Sequence, residues 1–378
     1  LVQSLVNPFM GYSTVDPKTK ERLYLSNGIF KEILEGLRSF DALANDGSLF
    51  HEEYLKIVLQ RMVLNAGVRV LFHAHLTDVH AENDRVQSVT VITKEGLLTF
   101  SASYFIDATG DADLCAFAGF PCRLGRESDA LCQPMTLCFR VAQVDLHAFK
   151  KSRAQINPLY QQFQKEGKIK NIRENVLLFP NMVDGVIHFN STRIVKKNPT
   201  SAFEKTEAEL LACEQVLELF TFLKENIDGF QSSILLSSGM EIGVRESRMI
   251  EGEYSLTQED LIACTKFDDR VICGNYDIDI HNPKESGTSH YYFKDGTYYT
   301  IPYRSLCPKG SKNLLAAGRC ISSTHEAQAS YRIMPFCCCL GEAAGAAAAL
   351  CHASGCDVME IDRGALHDDL IRRELIFD

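Results

Sequence analysis

Tyr104-Phe105-Ile106-Asp107-Ala108-Thr109-Gly110-Asp111 is an apolar strand that runs directly into small and polar residues. A strand ending this way puts its loop at the carboxyl edge of a sheet, where open α/β sheets bind ligands. Upstream, Tyr54, Leu55, Val58, Leu59 and Met62 recur at helical spacing. That spacing predicts a helix over 50–67, with Gly67 as its stop. Residues 68–72 read as a short strand, 76–80 as extended chain, and 86–93 alternate as a strand should. Asn83-Asp84 marks a hairpin turn between them, and 97–106 supplies another strand pair.

After about Arg123 the pattern changes. A strand is expected over 135–141, partial helix over 146–166 broken at Pro158, and a strand pair over 176–194 around Asp184-Gly185. A strong helix follows over 204–223, then a strand over 234–238. Arg245 and Arg248 flank Glu246 on an expected helix, where i and i+3 share a face. Residues 256–260 read as a helix start, and 277–279 and 298–303 as extended. The last third returns to the first pattern. Residues 313–319 form an apolar strand ending in Gly318-Arg319, and Pro335 precedes the Ala-rich run 341–350. Alanine is the strongest helix former, so a long helix is expected there. The fold class expected is α/β: one domain formed by 1–125 and 300–378, with an inserted α+β domain over 126–299.

The chain has 378 residues and a formal net charge of −10. Acidity argues against a nucleic-acid partner, which favours basic proteins. Fourteen cysteines include no C-x-x-C pair, so neither a zinc ribbon nor a thioredoxin-type site is expected, and no metal. Cys337, Cys338 and Cys339 read as small buried hydrophobes. Unpatterned cysteine suits a reducing compartment, so a cytoplasmic location is expected. The longest apolar stretch, 343–350, falls short of the roughly 20 residues that span a bilayer.

Three stretches carry a family resemblance. The first is Ile106-Asp107-Ala108-Thr109-Gly110-Asp111-Ala112-Asp113-Leu114. The second runs Gly243-Val244-Arg245-Glu246-Ser247-Arg248 and on through Gly252-Glu253-Tyr254. The third joins Ile301-Pro302-Tyr303-Arg304, Ser330-Tyr331-Arg332-Ile333-Met334-Pro335 and Gly341-Glu342-Ala343-Ala344-Gly345. In this order they resemble FAD-dependent oxidoreductases, the glutathione-reductase-like flavoproteins distantly related to fumarate reductases. The resemblance departs at the start. The family opens with a strand, a G-x-G-x-x-G turn and a helix, and no G-x-G occurs here. Leu1 to Tyr12 resembles the family's segment just after that unit, so a Rossmann-like domain incomplete at its amino end is expected.

The resemblance implies FAD as cofactor, contacted by Ala108, Thr109, Gly110, Asp111, Gly318, Arg319, Ile333 and Met334. Helix amino ends offer free N–H groups and positive partial charge to a flavin's pyrimidine edge. It implies hydride transfer between flavin N5 and a small molecule, for which a carboxylate is one candidate feature. His325, Arg332 and Arg245 are the candidate catalytic residues. Arg245 and Arg248 have a second reading, as structural ion-pair partners of Glu251 or Glu253. Tyr303 and Arg304 either close over the flavin or serve as a hinge. With no phosphate-binding turn, a non-catalytic binding protein is the alternative to an enzyme. No oligomeric state is legible.

Overall fold

The computed structural model describes residues 4–377. After a short antiparallel strand pair, Ser13–Val15 with Arg22–Tyr24, helix α1 (Ile29–Arg38) and helix α2 (Glu52–Asn65) pack against each other. Strands β1 (His75–Glu82), β2 (Arg85–Thr93) and β3 (Gly96–Ser101) form an antiparallel sheet. Asn83 and Asp84 both take positive φ, at 52° and 64°. Two such residues in sequence make the turn whose twist matches a hairpin.

Strand β4 (Phe105–Asp107) lies within the quoted segment. Next come β5 (Phe139–Ala142), β6 (Leu178–Pro180) and β7 (Ile187–Phe189). Helix α3 (Ala202–Asn226) and strand β8 (Ile234–Ser238) come after them. These strands form an antiparallel sheet ordered β8-β5-β7-β6. A hairpin of β9 (Ile278–His281) and β10 (Thr288–Tyr291) precedes β11 (Leu314–Ala316). Strand β11 pairs in parallel with β4, Leu314 opposite Phe105 and Ala316 opposite Asp107. Helix α4 (His325–Tyr331) and helix α5 (Met334–Ser354) complete the elements that shape the site.

Two apolar cores result. One gathers Phe9 to Cys115 with Ile250 to Ile376, and the other gathers Met135 to Ile242. Apolar residues from Ile250 to Ile278, expected in the inserted unit, belong to the first core. Helix α5 is long and apolar enough to cross a membrane, a length that the short run 343–350 does not suggest. It is packed inside the first core through Phe336, Leu340, Ala343, Ala344 and Ala347. The three consecutive cysteines lie in its early turns, with Cys339 buried.

The helix over 146–166 is interrupted as Pro158 suggests. Leu146–Ser152 passes through a tighter turn, and a new helix, Ile156–Lys165, starts with Pro158 in its first turn, where no intrahelical N–H is needed. Two expectations are corrected. Residues 68–72 form no strand, and Val68, Leu71 and Phe72 are exposed. An extended apolar run becomes a strand only beside a partner, and none adjoins it among the described residues. Residues 243–247 are irregular and Arg248–Ile250 is a strand, so Arg245 and Arg248 do not share a helix face. The helical spacing there is coincidental: Glu246 is wholly buried and fixes the backbone through long-range hydrogen bonds.

Candidate active site

Parallel pairing brings the carboxyl ends of β4 and β11 to the same edge. The loop after β4 is folded by Asp107. Its buried carboxylate accepts from Thr109 N at 3.0 Å, Thr109 Oγ1 at 2.7 Å and Cys115 N at 2.9 Å. The loop after β11 delivers Arg319, whose Nη2 donates to Asp111 Oδ1 at 2.7 Å. Its guanidinium lies so close over Gly110 that a Cβ there would collide with Nη1. Ala108, Thr109, Gly110, Asp111, Gly318 and Arg319 therefore form one cluster. Arg248 joins it, donating to Asp111 O at 2.9 Å and pairing with Asp113. Neither Glu251 nor Glu253 is its partner.

Ile333 and Met334 start α5. No side chain caps this helix, although Ile333, Met334 and Phe336 are buried. The first N–H groups of such a helix have no intrahelical acceptor and are open to an outside partner. Cys337, in the first turn, connects two groups of residues. Burial pushes its thiol up to about 11, while Arg319 and Arg332 pull it back down. Arg319 belongs to the loop cluster and Arg332 to a second, cationic one.

The second cluster is built on strand alternation. Phe139, Val141 and Phe189 point into the second core, so Cys138, Arg140 and His188 occupy the other face of the sheet. His188 and Arg140 are direct cross-strand partners. Arg245 lies across this face, donating to Asn190 Oδ1 at 3.2 Å and to Thr136 Oγ1 and Pro134 O. Arg332 stands 3.6 Å from Asp279, which also holds His281 at 3.2 Å. Burial is the largest influence on Arg245 and lowers it to about 9, with Arg332 and Arg173 adding to the effect. It stays cationic at neutral pH. Arg245 and Arg332, 87 positions apart in number, thus act on one another.

His325 occupies a third position. Its Nδ1 lies 2.8 Å from the buried Glu246, which also accepts from Gln133 N at 2.7 Å. Gln133 bonds Gln328, and Gln328 donates to Arg245 O at 2.8 Å. His325 is thus tied to the Arg245 backbone by a polar chain, and its buried Nε2 has no partner. Tyr303 and Arg304 have structural partners: Tyr303 donates to Val358 O at 2.8 Å, and Arg304 Nε to Asp269 at 2.8 Å. A surface recess of about 380 Å³, lined by Ile280, Thr288 and Arg126 among others, flanks the hairpin. It borders the cationic cluster without including it, because Asp279 and His281 alternate with Ile280 along β9.

Sequence reasoning missed Arg140, Arg173, His188, Asp279 and His281, which no motif marks. One signal was present: a charged or polar residue between apolar ones, as in Phe139-Arg140-Val141 and Ile187-His188-Phe189. Burial is also the main cause that pushes His188 down to about 3, assisted by Arg140. The unfolded chain then binds a proton near pH 6.5 that the folded chain refuses. Stability from this residue is present above pH 6.5 and falls toward pH 3, by about 1.4 kcal/mol per pH unit. Urea denaturation at pH 7, 5.5 and 4.5 should show His188→Asn losing less stability on acidification than the natural sequence. Equal losses would contradict the buried neutral state.

The sequence over residues 1–370 matches the FAD dependent oxidoreductase family. The chain belongs to that family. FAD is the cofactor of that family. No curated protein sequence matches it. Among solved structures it is similar to CabE, an aromatic hydroxylase from angucycline biosynthesis, at 13% identity and TM-score 0.32. That match covers 57% of this chain and 38% of CabE. A geranylgeranyl bacteriochlorophyll reductase-like protein from Thermoplasma acidophilum matches at 12% identity and TM-score 0.42, covering 98% and 68%. The myxobacterial chondrochloren halogenase CndH matches at 12% and 0.37, covering 86% and 56%. This chain spans from 38% to 68% of the length of these structures. At such values the likeness says nothing of substrate or mechanism.

The residues here are of the kind that would hold FAD. The start of α5, which no side chain caps, has free N–H groups that would suit an electron-rich edge of a cofactor. Gly318, at φ 93° with open space around its missing Cβ, allows close approach by a ligand. Arg319 Nε is buried without a partner.

Proposed function

We propose that this oxidoreductase exchanges a hydride with a small anionic substrate held by Arg245 and Arg332 beside the flavin. Bound at the start of α5, FAD supplies the two-electron chemistry at N5. Arg332 precedes that helix directly, so a carboxylate on its guanidinium is positioned next to the cofactor. Arg245 fixes the other side of the substrate and is itself held by Thr136 and Asn190. His325 Nε2 accepts or returns the proton that accompanies the hydride, with Glu246 on Nδ1 setting the tautomer. The cofactor loop cluster is Ala108 to Asp111 with Gly318, Arg319, Ile333 and Met334. The sheet-bearing core over Met135 to Ile242 is read as the substrate-facing unit.

The observation that carries this reading is the position of Cys337. In the first turn of α5 its Sγ lies 3.4 Å from Arg332 O, and the Arg319 guanidinium of the loop cluster is close enough to pull the same thiol down, which supports placing the two groups side by side. The test is anaerobic bleaching of the flavin band with a panel of hydroxy and unsaturated acids and their neutral esters. Reduction or reoxidation by acids and not by the esters is expected. Equal reaction with both would overturn the role of the arginines.

A further inference from the structure

We propose that the cationic cluster binds a small dianion, one negative group on Arg245 and Arg332 and a second on Arg140 and His188 of the sheet face with Arg173 of the irregular segment before β6. This rests on the reading of Arg245 and Arg332 as the substrate site and extends it to a substrate with two charges.

Charge balance comes first. The ionised groups acting most strongly on Arg245 are Arg332, Arg173 and Asp279. With Arg245 itself these are three cations against one carboxylate, a surplus of two. Asp279 already faces Arg332, while Arg140 pairs with Glu52 and Arg193 with Glu174 at 3.2 Å. Arg173, which is buried, and Arg245, which is half-buried, have no carboxylate within ion-pair distance among the described residues; Glu174 acts on Arg173 only from further off and is itself paired with Arg193. The neighbouring imidazoles add no charge, because burial drives His188 and His281 to about 3. Buried cations are otherwise paired in folded proteins.

Unpartnered polar groups come second. Arg140 Nε, Arg173 Nε, Arg332 Nε and both ring nitrogens of His188, one of them a donor in the neutral ring, are buried with no hydrogen-bond partner. More than nine in ten buried polar groups in native proteins have one, so a group of orphans in one place points to a ligand. His188 faces Arg140 across the strand pair, and Asn190, two residues further along, accepts from Arg245 at 3.2 Å, so these groups share one face; Arg245, Arg173 and Arg140 all pull down the buried Cys138 thiol beside it. A single negative charge would leave one guanidinium unmatched. A dicarboxylate or a phosphoryl dianion would match both.

The test is calorimetric titration of the full chain with succinate, malonate, inorganic phosphate and acetate, at fixed ionic strength. One-to-one binding of a dianion is expected, with acetate at least tenfold weaker. Succinate or malonate binding without phosphate assigns a dicarboxylate; the reverse assigns a phosphoryl group. Arg173→Met should weaken the bound dianion at least tenfold and raise Tm in its absence, since a buried unpaired charge is removed. Arg173→Gln provides the same binding readout should the Met variant not fold. Acetate binding as tightly as every dianion, or unchanged dianion binding in both variants, would overturn the proposal. So would the absence of binding to any anion. None of these readings depends on flavin reduction, so the hydride-transfer proposal stands or falls separately.

Discussion

Glu246→Ala is expected to destabilise the protein by about 3–5 kcal/mol, the usual effect of removing one partner from a buried pair. Glu246 is wholly buried and holds His325 Nδ1 at 2.8 Å and Gln133 N at 2.7 Å. Without it, an imidazole nitrogen and a backbone N–H are left in the interior with nothing to bond. Water cannot easily replace the carboxylate at so enclosed a position. Gln133 and Gln328 would lose their anchor as well, loosening the backbone that carries Arg245. Glu246→Gln keeps one acceptor and should lose roughly half as much. Urea denaturation with matched m-values measures both. A loss below about 1 kcal/mol for the Ala variant would show that the pair is not held as described.

Asp107→Ala should have a comparable or larger effect, about 3–9 kcal/mol, since three donors converge on its carboxylate and leaving each unsatisfied costs roughly 1–3. The consequence for the cofactor is separate. Thr109 N and Thr109 Oγ1 would lose the acceptor that shapes the loop, and Cys115 N the one that anchors the next helix. Gly110 and Asp111 would no longer stand opposite Arg319. Weakening of FAD retention by tenfold or more is expected even at temperatures where the variant remains folded. Circular dichroism and flavin fluorescence on the same sample separate the two effects. A folded variant with unchanged flavin affinity would remove this loop from the cofactor site.

The parts of the site legible in the sequence are those in which local pattern and tertiary role coincide. Residues 104–111 and 313–319 carry their meaning in the shift from apolar to small residues, and parallel pairing of β4 with β11 puts both loops at one edge. The Ala-rich run announces α5 because helix propensity there agrees with packing. Arg245 and Arg332 are legible as candidates, but Arg245 on a false premise. Its helical spacing to Arg248 is accidental, and the two arginines serve different clusters. Arg140, Arg173 and His188 are not legible because their significance lies in what surrounds them. A lone arginine in a short strand looks like a solvated edge until its neighbours are shown to bury it. Residues 68–72 fail in the opposite sense: the local pattern is that of a strand, but no described strand lies beside it to accept its hydrogen bonds.

The most direct test is the visible spectrum of the natural protein after incubation with FAD and desalting. A retained flavin band, resolved from that of free FAD and weakened by Asp107→Ala, is the expected result. A folded protein that emerges colourless would contradict the placement of the cofactor at the carboxyl ends of β4 and β11 and the start of α5.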